Sequence, residues 1–507
     1  MNKRVLIACA AALLLGLAFG TTVLAGPIPQ GEGGEPPADE GATDVNVAWK
    51  TDVTYPGVYI FYDYNPGEHR LENYPGVFVG GHMAFTWEEI EPSDHSYNWA
   101  RIDDWINSQL ALGKRVGLAI NAYEGVSGGD VSPSWLPKIH CVDGYGNPHD
   151  IPAYGEASYQ SELQALITAF GNRYNTDSRV AWVEISTGMY GENQPCPDQP
   201  ALEQCLYDAG LHQYQWEEYM KRVIDFYQAA FPNKPLMVQH YPKYVHDSER
   251  RTIRDYLAGK GIGLKGDGLI PDRDKAIIDG GTPSLIGGGL YDPIIPYSLT
   301  APIGFETYGF YLTHPTLQYW AILNALDKHA DYLAMGEDTF VGGDPVRLES
   351  LRFANRYLGK NASTTPEIWV ALRESGYTYY PQWGNYEFYL FQDDSVPGGQ
   401  TRAVTYRPAC GSEPYCILNT AKVDAWVTFL ENTKEGWITR RTDQAGGNRY
   451  MWFKADDGFI YGGANPISIT VTYFDRGTDT WSLEYDGPGG AYTSAGTVVK
   501  SNTNTWK

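Results

Sequence analysis

Past its first 25 residues the chain has no long apolar run, so nothing beyond the N-terminus is suited to cross a bilayer. Basic charge is scarce: 38 Lys and Arg stand against 61 Asp and Glu, a formal net charge of −23. No basic run interrupts that surface, which excludes nucleic acid and anionic lipid as partners. Cysteine is rare, with six in 507 residues, and no CxxC or HExxH spacing occurs. A structural or catalytic zinc is therefore not indicated. There is no Gly-rich phosphate loop, no ligand cluster and no internal repeat, so neither a metal nor another cofactor is expected. Nothing in the pattern speaks to oligomeric state.

What is abundant is apolar and aromatic. Apolar residues make up 43% of the chain and aromatics 14%, with 38 Tyr and 15 Trp. That is enough for a sizeable core, and the length allows one large domain plus a smaller one. Tyr and Trp offer flat faces with a polar edge, which suits sugar rings.

The N-terminus reads as a targeting segment. Lys3-Arg4 is a short basic region, Val5 to Leu24 is mostly apolar, and Val23-Leu24-Ala25 is a small-residue cleavage site. Residues 1–25 are thus expected to be a signal peptide, giving a secreted, periplasmic or cell-surface protein with no membrane segment in its mature form. In an oxidising compartment the close pairs Cys196/Cys205 and Cys410/Cys416 are plausible disulfides, leaving Cys141 over and buried. Residues 26–49, rich in Gly, Pro, Glu and Asp, read as a flexible linker.

From about residue 50, short β-rich runs alternate with amphipathic helices. Strand candidates are Gly57–Tyr62, Gly76–Phe85, Arg115–Asn121, Arg179–Ser186, Leu236–His240, Ile262–Ile270, Ile303–Thr307 and Asp331–Met335. Between them, stripes at three- and four-residue spacing mark helices: Ile102, Trp105, Ile106 and Leu110; Leu163, Leu166, Ile167 and Phe170; Trp216, Met220, Val223 and Tyr227; Trp320, Leu323 and Leu326. Eight strand–helix units predict an α/β fold, a closed (β/α)8 TIM barrel over residues 50–360. Gly261 to Tyr297 reads more as a long active-face loop than as a clean unit. Over 361–507, alternating runs such as Ile467–Asp475 with Gly/Asp turns predict a C-terminal antiparallel β-sandwich, possible as a sugar-binding or a packing module.

Barrel enzymes keep their chemistry at the C-terminal ends of the strands. Arg179–Asn193 reads as a buried strand followed by a turn ending in Gly191-Glu192, and Ile303-Gly-Phe-Glu-Thr307 ends the seventh strand with Glu306. Cleaving a glycosidic bond takes two carboxyl groups, one to protonate the leaving oxygen and one to attack the sugar or activate water. Strands four and seven face each other across an eight-stranded barrel, so Glu192 and Glu306 are the candidate pair. Glu184, inside the fourth strand, and Glu337, after the eighth, are the rivals. Trp87, Asn121, Trp135, Tyr190, Asn193, His240, Tyr241 and Tyr308 are candidates for lining the cleft.

Phe85-Thr-Trp-Glu-Glu-Ile-Glu-Pro-Ser-Asp-His-Ser-Tyr-Asn-Trp99 with Asp103 resembles the W-x-x-x-E-P…Y-x-W…D signature of clan A glycoside hydrolases, and Pro133-Ser-Trp-Leu136 resembles their P-x-W-L segment. Family 42 β-galactosidases are the nearest in pattern, over about residues 55–340. The resemblance implies a retaining hydrolase of β-linked oligo- or polysaccharides, with Glu192 as acid/base and Glu306 as nucleophile. It also implies that Glu89 and Glu91 position their loop. The sequence departs from the pattern in placing Gly191, not Asn, before Glu192. Gly-Glu there is similar to β-amylase-type barrels, which invert. The rival from another class is a non-catalytic carbohydrate-binding barrel.

Overall fold

A computed structural model of the chain describes residues 53–62, 74–239, 243–269, 297–308, 315–372 and 385–393, and most of 396–405 and 438–507, with short strand segments at 3–8, 22–25, 278–279 and 282–283. The chain divides into two compact units, one of residues 47–312 and 330–344, the other of 1–46, 313–329 and 345–507.

The first unit is built on eight parallel strands: β1 (Gly57–Tyr62), β2 (Gly80–Thr86), β3 (Arg115–Asn121), β4 (Val180–Glu184), β5 (Leu236–Gln239), β6 (Gly263–Gly266), β7 (Ile303–Thr307) and β8 (Tyr332–Gly336). They pair in chain order, and β8 closes on β1. Three have the expected limits. The second starts later because Tyr74–Val77 forms a turn, with Gly76 at φ 74° and the Val77 N–H donating to the Tyr74 carbonyl at 3.2 Å. The sixth is shorter, four residues instead of nine. Nearly every strand residue is buried, as expected where one face fills the barrel and the other meets helices.

Side chains two apart share the inner face. Near the N-terminal ends that face is aromatic: Tyr59, Trp182 and Tyr332 meet edge-on or tilted with ring centroids 5.8–6.0 Å apart. Room for the Trp182 indole comes from Gly117, where an added Cβ would lie 2.4 Å from the ring. The segment before β1 seals this end. Tyr332 donates its hydroxyl to the Thr54 carbonyl at 2.8 Å, and Thr54 Oγ1 donates to the Ala181 carbonyl at 2.7 Å.

The helical stripes are buried as their spacing predicts, with one exception. In Ala100–Ala111, Gln109 is buried and Leu110 is exposed. Each large apolar side chain so buried contributes about 1.5–3 kcal/mol.

In the second unit the largest sheet is mixed, not purely antiparallel. Lys3–Ala8 runs parallel to both Glu367–Ala371 and Asn465–Thr472. Antiparallel structure is present as Tyr386–Phe388 on Glu367–Ala371, Thr22–Ala25 on Asn465–Thr472, and separate pairs such as Thr480–Gly487 with Gly490–Val499. Helices Pro315–Asp327 and Pro345–Tyr357 join through Arg347, whose guanidinium donates to Gln318 Oε1 at 2.7 Å. Among the described residues, no helix is long and apolar enough to cross a membrane.

Candidate active site

The turn after β4 decides where Glu192 goes. Tyr190 (φ 57°) and Gly191 (φ 82°) are both left-handed, an uncommon state for a tyrosine. Such strain persists only where the surroundings enforce it. Here the Tyr190 N–H donates to the Tyr123 carbonyl at 2.8 Å, and its hydroxyl lies 2.5 Å from Ser127 Oγ. A Cβ on Gly191 would lie 3.1 Å from Asn121 Oδ1, besides having the wrong φ. Asn121 is itself fixed, donating to Glu124 Oε1 at 2.9 Å and accepting from Ser186 Oγ at 2.7 Å. The result is a rigid corner that presents Glu192, half-buried, beyond the C-terminal end of the barrel.

Glu192 keeps company with acids. Its carboxyl is hydrogen-bonded to that of Asp267, on the loop leaving β6. Burial, then the charge and hydrogen bond of Asp267, then the charge of Glu306, push its pKa well above the ordinary carboxyl value, against the single donor Gln194 Nε2 at 2.9 Å. Its surroundings thus favour the protonated form of Glu192.

Glu306 lies one step deeper. The Lys265 ammonium donates to its Oε2 at 2.5 Å, and the Tyr308 hydroxyl donates to its Oε1 at 3.1 Å. Lys265 also donates to Glu184 Oε2 at 2.7 Å, and all three side chains are nearly inaccessible to solvent. His82 Nε2 sits 3.1 Å from Glu184 Oε2 without reaching hydrogen-bond geometry. Burial, aided by the Lys265 charge, holds this imidazole neutral, with its pKa down to about 4.

One ammonium serves two buried carboxylates, and they respond in opposite directions. Burial raises both. For Glu184 the charge of Lys265, the close contact with His82 and the Lys265 hydrogen bond outweigh it, giving about 2. For Glu306 burial wins over Lys265, with help from the Glu184 and Asp267 charges, giving about 7. Burial lowers Lys265, but the two acids more than compensate and it stays charged. His82, Glu184 and Glu306 lie close enough together for a cation, and the cation bonded to both carboxylates is Lys265.

The structure thus brings Glu192, Glu306 and Glu184 together. Glu337, half-buried, opens a 3-10 turn after β8. Tyr308 serves Glu306 through its hydroxyl, and its ring meets Phe61 edge-on at 5.5 Å. Trp87 is no sugar platform: its ring is wholly buried against Tyr159, and Nε1 donates to Glu91 Oε2 at 2.7 Å. Glu91 also accepts from the His95 N–H at 2.8 Å, so it does position that loop. Trp135 is partly exposed, 39%. Asn193 is buried and accepts from Thr187 Oγ1 at 2.8 Å. His240 and Tyr241 lie outside the described residues; among the described residues the donors on Glu306 are Lys265 and Tyr308. Lys265 and Asp267 escaped the sequence reading. Their signal was a Lys and an Asp two apart at the end of a barrel strand, an inward-facing charged pair.

The cysteine expectation is corrected. Cys141 pairs with Cys205, and Cys196 is a buried free thiol. The bridge ties the Lys138–Val142 hairpin strand, after β3, to helix Pro200–Asp208, after β4. Proximity in sequence pointed to the wrong partner because helix and hairpin meet only in the fold. Cys410 and Cys416 lie outside the described residues.

A separate cavity of about 650 Å³ lies by Thr86, Glu88, Glu89, Arg101 and Pro133. Of its acids, Glu88 is solvated, Glu89 pairs with Arg101 at 2.7 Å, and Glu91 is buried and taken up by Trp87 and the His95 N–H.

No protein-family model and no characterised protein sequence matches this chain. Similar solved structures include the catalytic domain of a β-amylase from Paenibacillus polymyxa, at 10% identity over 60% of this chain and 98% of that one, with a TM-score of 0.43. Others are a β-galactosidase from the psychrophilic Marinomonas ef1 (12% identity, 59% of each chain, TM-score 0.36) and an exo-β-1,4-mannosidase from Opitutaceae bacterium strain TAV5 (11%, 61% of this chain and 58% of that one, TM-score 0.38). The chain spans under two thirds of the latter two. The barrel rests on its own strand pairing, not on these likenesses.

Proposed function

We propose that this protein is a glycoside hydrolase that cleaves β-glycosidic bonds of an oligo- or polysaccharide, with Glu192 as proton donor and Glu306 as the opposing carboxylate. The observation that carries this reading is the contrast between the two acids at one barrel rim. Glu192 sits where burial and acidic neighbours favour its protonated form, while Glu306 is held at both oxygens by Lys265 and Tyr308. Unlike environments for like groups are what assign acid and base roles. Glu192 would protonate the leaving oxygen as the bond breaks, and Asp267 would keep that proton in place until then. Glu306, ionised above about pH 7, would attack the anomeric carbon; water delivered by the deprotonated Glu192 would then release the sugar. A carboxylate fixed at both oxygens favours this retaining course over loose activation of water. Partly exposed Trp135 is a candidate stacking face at the rim.

Export follows as a second part of the proposal, supported by the basic–apolar–small N-terminal pattern and a disulfide in the barrel unit. Cleavage after Ala25 would take Lys3–Ala8 and Thr22–Ala25 from the mixed sheet, so mass spectrometry of the mature N-terminus decides it. The antiparallel pairs of the second unit are read as parts of a β-sandwich module.

The test is product stereochemistry. With β-linked oligosaccharides, NMR should show β-anomers released first, and Glu306→Gln should lower kcat by about 10³-fold or more through loss of the nucleophile. Initial release of α-anomers would reverse the retaining assignment. Sugar binding with no turnover would leave a carbohydrate-binding barrel.

A further inference from the structure

The barrel interior holds a buried charge arrangement that a two-carboxylate reaction does not by itself require. Lys265, 1% exposed, donates to both Glu184 and Glu306. Its ammonium lies 5.7 Å from the Phe61 ring centre and 5.9 Å from that of Trp182, so aromatic faces line the site on which it sits. Burying an ammonium and two carboxylates costs several kcal/mol per ion unless geometry and hydrogen bonding compensate. A barrel needing only stability would fill this layer with apolar side chains, as it does immediately below with Tyr59, Trp182 and Tyr332.

We propose that Lys265 and Glu184 are positioning residues: a shared ammonium that orients Glu306 and, by dividing its charge with Glu184, sets the proton occupancy of Glu306. The proposal rests on Glu306 being the reactive carboxylate, and it makes Glu184 a partner of the site rather than the rival acid. The ammonium cannot fully neutralise both acids. Both carboxylates lie within hydrogen-bond reach of the one ammonium, Glu306 at 2.5 Å and Glu184 at 2.7 Å, so each draws on it at the other's expense. Among the described residues, the groups facing Glu306 are Lys265 from β6, Glu184 from β4, Tyr308 after β7, Asp267 after β6, and Glu192 from the rim. His82, on β2, stands behind Glu184. The two neighbours therefore act with opposite sign. Lys265 favours the ionised form of Glu306. Glu184 disfavours it, by its own charge and by drawing on the ammonium.

The test reads the Glu306 carboxyl directly, in the full chain. Carboxyl ¹³C NMR of glutamate-labelled protein, with Glu306→Gln to assign the resonance, gives its titration midpoint without substrate. Lys265→Met should raise that midpoint by a unit or more, and Glu184→Gln should lower it. The acid limb of kcat/KM should move with each, tenfold in rate per unit at fixed low pH. A structural role alone would lower stability in both variants and move neither midpoint, and that result overturns the proposal. Should Lys265→Met not fold, the isosteric Glu184→Gln decides alone, because an unmoved or raised midpoint contradicts the account. Opposite midpoint shifts in a chain that hydrolyses no sugar would uphold the charge division and remove the glycosidase reading.

Discussion

Two adjacent layers of one barrel interior are built on opposite principles. The lower layer, Tyr59, Trp182 and Tyr332, is aromatic and edge-packed. The layer above, Glu184, Lys265 and Glu306 with the neutral His82 imidazole beside them, is ionic and equally buried. Two residues along β4, from Trp182 to Glu184, separate packed rings from buried ions. The lower layer holds the strands in place and tolerates no void. The upper layer gives up apolar contact to hold carboxyl groups in unlike protonation states. What differs is the partner available to each side chain: a ring meets rings below, and an ion meets ions above.

The contrast is most strongly challenged by Trp182→Ala. Truncating a buried tryptophan should cost about 3–5 kcal/mol of unfolding free energy, read by denaturant titration. It should leave the acid limb of the pH–rate profile close to its position in the parent protein. A large shift of that limb would mean that the two layers are not separable.

Next comes pH. Glu306 has its pKa raised from 4.5 to about 7 in the folded protein. A raised acid is stabilising while protonated, so its contribution is complete below about pH 4.5 and is lost as pH rises through 7. The loss amounts to about 3 kcal/mol, and Glu306→Gln should remove that part of the pH dependence. Glu184 behaves oppositely: its stabilisation is present above 4.5 and lost as pH falls toward 2. Thermal unfolding from pH 3 to pH 8 reads both, and a curve unchanged by Glu306→Gln would contradict the Glu306 assignment. The smallest effect belongs to the corner that presents Glu192. Gly191→Ala forces a Cβ into a left-handed position beside Asn121, at a cost of about 1–3 kcal/mol. Because the strain falls on the turn, kcat should drop more than sugar affinity.

The barrel could be read from the chain because strand and helix periods alternate cleanly; Gly57–Tyr62, Arg115–Asn121 and Ile303–Thr307 are found at their expected limits. The candidate carboxyl pair is legible because Glu192 and Glu306 stand at or just past the C-terminal ends of barrel strands. Lys265 and Asp267 are not, since the Gly/Asp/Pro-rich stretch Gly261–Tyr297 blurs the Ile262–Ile270 strand candidate and a four-residue strand is too short to show the inward alternation. Trp87 was misread because an aromatic beside a signature looks the same whether it faces sugar or, as here, Tyr159. Cysteine pairing is beyond reach, since it depends on a hairpin strand and a helix, 64 residues apart, meeting in the fold.

The most direct measurement compares Glu192→Gln on two substrates with one sugar and different leaving groups. A dinitrophenolate leaves without a proton, whereas a sugar alkoxide needs one. The account predicts loss of about 10³-fold or more on the oligosaccharide and a far smaller loss in the glycosylation rate on the dinitrophenyl glycoside. Equal losses on both, or wild-type turnover of the oligosaccharide, would contradict Glu192 as the proton donor.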